Sequence, residues 1–253
     1  PLKDTILEVR GAALEAVAER RDKNSENLLL REAQGTNEDA AALAISLLPA
    51  FPGDAVRQAL VKLAGNAKAG LAVPALDALG ELGGTESLPV FEKALRAKDW
   101  AVRVSAVRGL RKLRSKEAVD LLVDRMASEE GRLLADIAET LRGMTAKPFG
   151  SAAGQWKEWW TNARETFAFP GPDAVAAAPQ AGMTTYYGMP VVSTRLVFCV
   201  DISGSMQAES EGGVTRLEQA KKELLRSLGQ LGKDAQVNLV FFDDKIEPWH
   251  RQL

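Results

Sequence analysis

The stretch "VFCVDISGSMQ", Val197–Gln207, decides how the second half of this chain reads. An apolar run stops at one carboxylate, Asp201, and hydroxyls follow at alternate positions, Ser203 and Ser205, before Met206. Alternate residues leaving a strand point to one side, so the three side chains converge, and Gly204 permits a tight turn between the serines. The result is a half-cage of hard oxygen donors. One carboxylate and two neutral hydroxyls suit octahedral Mg²⁺ at about 2.1 Å, or Mn²⁺ or Ca²⁺, better than a soft or tetrahedral metal. With so little charge in its shell the cation stays electrophilic, and an acidic side chain from a protein partner can complete its coordination.

Outward from this stretch, Leu196–Val200 reads as a strand buried on both faces, as parallel strands are, with Cys199 a small core residue. Downstream, "TRLEQAKKELLRSLGQL" puts Leu217, Ala220, Leu224, Leu228 and Leu231 on one helical face, and Thr215 with Glu218 forms an S/T-x-x-E capping box. "QVNLVFF", Gln236–Phe242, is a second strand, followed by a turn at Asp243 and Asp244 and an edge strand beginning at "KIEPWH". Strand, helix, strand in this length is a βαβ unit with a parallel pair and a right-handed crossover. Ligands of such sheets gather beyond the carboxyl ends of the strands, where Asp201, Ser203 and Ser205 stand.

"VFCVDISGSM" resembles the D-x-S-x-S metal-ion-dependent adhesion site (MIDAS) of von Willebrand factor type A (vWA) domains, and the resemblance continues through "TRLEQAKKEL" and "VNLVFF". It covers roughly Val191 to Leu253. It implies the N-terminal portion of a doubly wound, Rossmann-like α/β domain in which Ser203 and Ser205 coordinate the metal directly and Asp201 holds it mainly through water. The family's site also takes a threonine and a second aspartate from later loops, which this chain stops before reaching. The portion present is therefore expected to carry an incomplete site.

Other chemistry reads less well. A haloacid-dehalogenase-like phosphotransferase needs a second aspartate two positions after the first, where Ser203 stands. Ser203 or Ser205 as a nucleophile needs a base, and the single histidine, His250, has no neighbouring carboxylate pattern to orient it. No catalysis is expected. The bland alternative is a turn whose Asp and Ser cap backbone amides without a metal.

The first half is helical throughout, with Leu and Ala recurring at three- and four-residue spacing. "ALDALGELGGTESLPVFEKAL" from Ala75 aligns with "AVRGLRKLRSKEAVDLLVDRM" from Ala106 at an offset of 31 residues. The same offset carries Ala106, Leu110 and Leu113 forward to Ile137, Leu141 and Met144, and back one further repeat to Ala44, Leu48 and Phe51. One helix pair cannot bury its apolar face alone, so such a period means a stacked α-solenoid. "KDWAVRVSAVRGL", with Asp99 as N-cap, resembles the first helix of a bacterial HEAT-like repeat, and the whole chain resembles a bacterial protein joining HEAT-like repeats to a vWA domain.

Two local features compete with pure scaffolding. Arg96, Lys98, Arg103, Arg108, Arg111, Lys112, Arg114 and Lys116 cluster with only Asp99 opposing them nearby, which would suit an anionic partner; a solvated helical surface is the plainer reading. Trp156, Trp159 and Trp160 in "QWKEWW" share a helical face and read as an aromatic cap on the array rather than a ligand platform.

The expected organisation is a helical segment over 1–40, HEAT-like repeats over 41–165 ending in the Trp-rich helix, a linker over 166–190 marked by Pro170, Gly171, Pro172 and Pro179, and the vWA portion over 191–253. A net charge of -2 gives no global attraction to nucleic acid or anionic membrane, and no apolar run reaches membrane-spanning length. One cysteine excludes an internal disulfide framework or a cysteine zinc site. The chain begins at Pro1 with no signal-peptide pattern and reads as a fragment. The expected function is a scaffold binding a protein partner through Mg²⁺ on the vWA portion, the repeats offering a second surface. The alternatives are an accessory subunit of an ATP-driven machine such as a metal chelatase, in which vWA domains also occur, or a solenoid holding anionic partners on its basic face.

Overall fold

The computed structural model describes residues 7–177, 185–187, 189–191, 195–210, 213–231 and 235–250. It divides into two units, residues 1–129 with 136–178 and residues 130–135 with 179–253. The first is helical: α1 (Leu7–Glu19), α2 (Lys23–Glu32), α3 (Glu38–Leu47), α4 (Asp54–Ala64), α5 (Ala69–Leu82), α6 (Leu88–Leu95), α7 (Trp100–Leu113), α8 (Lys116–Met126), α9 (Gly131–Thr145), α10 (Ala153–Ala163) and α11 (Pro172–Ala177).

Helices α3, α5, α7 and α9 begin at Glu38, Ala69, Trp100 and Gly131, each one 31-residue repeat after the last. The starts are written in short polar residues. Asn37 accepts the Ala40 amide, Asp99 accepts the amides of Ala101 and Val102, and Ser115 accepts that of Ala118, each satisfying donors that a helix leaves open at its first turn. Between the helices lies a continuous seam of fully buried Leu76, Leu79, Phe91, Leu110 and Leu122. Each such side chain contributes about 1.5–3 kcal/mol by leaving water. Stacking is close where α5 meets α7: a β-carbon on Gly80 would lie 2.9 Å from the Gly109 α-carbon.

Polar pairs follow the same period. Arg108 grips both carboxylate oxygens of Asp77 at 2.9 and 3.2 Å, and Lys112 meets Glu81 at 3.0 Å, each across 31 residues. Two cations of the basic cluster, Arg108 and Lys112, thus find acids one repeat earlier, which a reading of neighbours along the chain had not supplied. Arg103 donates to the carbonyls of Ala97 and Lys98, Arg114 to that of Pro170, Lys116 to that of Glu165, and Arg96 pairs with Glu92. Most of the cluster's cations are thus engaged with groups of the first unit itself, while Arg96, Arg108 and Lys112 stay partly exposed.

At the end of the array, Trp156 is fully buried and Trp160 nearly so, their indole N–H groups donating to Gly150 O and to Asp120 Oδ1. Phe149, Trp159 and Phe167 complete an edge-to-face cluster. The start of the expected linker is not structureless. Residues 172–177 form α11, Arg142 donates to Val175 O, and the Arg114 guanidinium lies over Phe169. The part of that linker over 178–184 and residue 188 fall outside the described residues.

The second unit contains β1 (Thr185–Tyr186), β2 (Met189–Pro190), β3 (Arg195–Asp201), α12 (Arg216–Leu228), β4 (Gln236–Phe242) and β5 (Ile246–Pro248). β1 and β2 pair antiparallel as a ribbon of their own. β3 and β4 pair in parallel with Arg195 opposite Gln236 and Asp201 opposite Phe242, and β5 adds antiparallel at the β4 edge. The fold class is a helical repeat body followed by the opening part of a vWA-type α/β sheet. Phe198, Val200, Leu224 and Leu239 form the core between sheet and helix, with Leu228, Leu231 and Tyr186 packed around it.

The burial of β3 on both faces is not found. Val197 is 48% exposed and Cys199 is exposed, whereas Phe198 and Val200 are buried. α12 packs on one face, so side chains alternate between cover and water as the two-residue strand period dictates.

Candidate functional site

β3 ends at Asp201, and Ile202 N–H donates to Phe242 O at 2.9 Å, which keeps the chain on the sheet for one further residue. Backbone then turns through a short 3₁₀ segment, Gly204–Gln207, closed by Met206 N–H on Ser203 O. Gly204 has no positive φ, and a β-carbon there would meet nothing within 4 Å. The turn therefore does not need its glycine, contrary to expectation; the 3₁₀ bend achieves the reversal with ordinary dihedrals.

The three expected residues come together. Ser203 and Ser205 hydroxyl oxygens lie 3.0 Å apart, and the Ser203 amide donates to Asp201 Oδ1 at 2.8 Å. Hydrogen bonds from the Ser203 side chain and then its amide hold the Asp201 carboxyl below the usual aspartate range, so it is an anion at neutral pH. The following loop is pinned as well: Glu209 bridges Thr215, Ser210 Oγ bonds Gln219 Oε1, and Thr215 with Glu218 completes the capping box at the start of α12. Ser210 and Gln219 were not singled out from the sequence, where a polar pair across a loop carries no periodic signal.

His250 is placed elsewhere. Its amide and carbonyl are held by the buried Asn238 side chain at 3.1 and 2.8 Å. Asn238 pairs with Val197, four residues before Asp201, or roughly 13 Å along the strand. A serine–histidine pair is not assembled. Asp243 and Asp244 form the turn into β5, with Asp243 Oδ1 accepting the Lys245 amide.

The donor set can be tested against a hard cation. Adjacent ligands of an octahedral ion at 2.0–2.1 Å are about 3.0 Å apart, which matches the Ser203–Ser205 separation, although a simple hydroxyl–hydroxyl hydrogen bond has the same length. The Ser203 amide takes Asp201 Oδ1 and the Ser203 side chain also bonds the carboxyl, so the aspartate stands directly beside the hydroxyl pair. Among the described residues no cluster of three or more His, Cys, Asp or Glu side chains could hold a metal. Any cation here would depend on hydroxyl oxygens.

Comparison with known proteins meets this geometry at both ends of the chain. Residues 71–142 match HEAT repeats, and residues 196–250 match the von Willebrand factor type A domain. HEAT repeats and a vWA domain are found in one chain. Inter-alpha-trypsin inhibitor heavy chain H3 of Pongo abelii is 36% identical over 66 residues, and that of Homo sapiens 35% over 66 residues. The match spans 26% of this chain and 7% of each relative's length. Among the described residues no helix is long and apolar enough to cross a membrane.

Proposed function

We propose that this protein is an interaction scaffold that engages a protein partner through a divalent cation, Mg²⁺ foremost, held by Asp201, Ser203 and Ser205, with the HEAT repeats as a second binding surface. The observation that carries the reading is the hydroxyl pair 3.0 Å apart beside an ionised aspartate at the carboxyl end of a parallel strand. HEAT repeats and vWA domains are typically non-catalytic interaction modules, and vWA domains often bind a divalent metal.

Each residue has a separate task in this reading. Ser203 and Ser205 present neutral lone pairs from one side of a short turn. Asp201 supplies the local negative charge and, through its bond to the Ser203 amide, fixes where the first hydroxyl stands. A bound cation would supply a Lewis-acidic centre for a partner's carboxylate oxygen. The Glu209–Thr215 bridge and the Ser210–Gln219 hydrogen bond tie the segment after the turn to the start of α12.

The test is calorimetric titration of Mg²⁺ and Mn²⁺ into the protein beside Asp201→Ala and Ser203→Ala. Saturable binding weakened at least about tenfold in both variants is expected, since each removes a ligand or its orienting charge. A folded protein that takes up neither ion refutes the metal-dependent reading.

A further inference from the structure

The solenoid carries a second feature that its packing does not use. A cleft of about 640 Å³ lies between α4 and α6, floored by Ala64, Ala94 and Val102 and walled by Val61 and Val90. Its floor is buried, but Val61 remains 38% exposed, an apolar wall left in water. Lys93 and Lys98 stand on the rim with no carboxylate partner among the described residues. Asp99, also on the rim, spends its carboxylate on the amides of Ala101 and Val102, and Arg96 is paired with Glu92.

The cleft does not stand alone. Asn66 lines both it and the groove before it, which runs between α2 and α4; Arg96 lines both it and the groove after it, between α6 and α8. The three grooves are thus neighbours on successive repeats, adjoining at Asn66 and Arg96. Lys62 in the preceding groove is the 31-residue counterpart of Lys93, and the next counterpart is Asp124, where the basic character ends. Among the described residues the α4–α6 cleft is the one of the three with an apolar floor and unpaired lysines on its rim, the next groove carrying Glu92 and Asp124, and its open lining fits one face of a helix.

We infer that the α4–α6 cleft is the docking groove for an acidic amphipathic helix of a protein partner. Its apolar side chains at three- and four-residue spacing seat on Val61, Val90 and Val102, and its flanking carboxylates face Lys93 and Lys98. Charge complementarity selects that partner: two unpaired ammonium groups beside the apolar floor repel a basic helix and attract flanking carboxylates that a purely apolar helix lacks. The inference rests on the repeats being a binding surface and is independent of the cation site.

The test is fluorescence anisotropy with the full chain and a labelled synthetic helix bearing Leu at i, i+3, i+4 and i+7 and Glu on its flanks, beside a counterpart with Lys flanks. Binding by the Glu peptide alone is expected, weakened about tenfold or more by Lys93→Glu with Lys98→Glu and, separately, by Val61→Glu, and unchanged by Asp201→Ala or by EDTA. All three substituted groove side chains are exposed, and circular dichroism of each variant checks that the helices persist. Equal binding of both peptides, indifference to the groove substitutions, or full displacement by heparin at matched charge would overturn the inference. Loss of binding in Asp201→Ala would also overturn it, by moving the peptide to the cation site, whereas failed Mg²⁺ uptake with intact peptide binding would remove only the metal-dependent reading.

Discussion

Two glycines show how one substitution takes opposite signs. A β-carbon on Gly109 would lie 2.2 Å from Cε1 of the fully buried Phe91 ring, which has no room to swing. On Gly143 it would meet Arg111 at 3.5 Å, ordinary contact. Alanine within a helix is worth roughly 0.5–1 kcal/mol over glycine, and overpacking a core costs about 1–3 kcal/mol. Urea unfolding should therefore show Gly109→Ala destabilised by about 1–2 kcal/mol and Gly143→Ala stabilised by a few tenths to about 1 kcal/mol. Equal effects would mean that the α6–α7 seam relaxes freely. At the same scale, the meeting of Asp201, Ser203 and Ser205 was legible because a carboxylate and hydroxyls at alternate positions after a strand point to one side. The role assigned to Gly204 was not, since a glycine in a sequence does not reveal which dihedral it adopts.

Among elements, one carboxylate on α12 holds the residue that follows β1. Glu223 on α12 accepts the Tyr187 amide at 2.7 Å and pairs with Arg226, and these hydrogen bonds lower its pKa from the ordinary 4.5 to about 2. A depressed carboxylate contributes stability that is fully present above its unfolded pKa and is lost as pH falls through the folded value. Protection of the Tyr187 amide, with its exchange corrected for the intrinsic pH dependence, should fall between about pH 4.5 and pH 2, and Glu223→Gln should remove that acid dependence. Unchanged protection over the same window would mean that ring packing between Tyr186 and Phe198 holds the ribbon alone. The outer face of β3 makes a second prediction: Cys199 should react with a thiol reagent in the folded protein at a rate within about tenfold of the unfolded chain. Its exposure was hidden from the sequence because an unbroken apolar run states what a strand tolerates, and only the cover supplied by α12 decides which face is wet.

Over the whole molecule, the 31-residue step was legible from Ala and Leu alone, and the helix starts at Glu38, Ala69, Trp100 and Gly131 keep it through the copy that holds Ala44, Leu48 and Phe51. Its polar counterpart was equally present. Asp77 and Glu81 sit one period before Arg108 and Lys112, so a charge read against its repeat neighbour rather than its chain neighbour is already matched. These pairs are partly exposed, and a double-mutant cycle on Asp77→Ala and Arg108→Ala should give a coupling of only about 0.2–1 kcal/mol, shrinking in 0.5 M salt to near zero, roughly. A coupling above about 2 kcal/mol would assign the pairs a share of the stability now given to the apolar seam. The apolar step recurs from repeat to repeat, whereas the acid–cation pairs Asp77–Arg108 and Glu81–Lys112 belong to the α5–α7 joint alone. Excising one complete period would therefore keep the helices in phase, but a cut that removed α5 would leave Arg108 and Lys112 facing Ser46 and Ala50 in place of their acids.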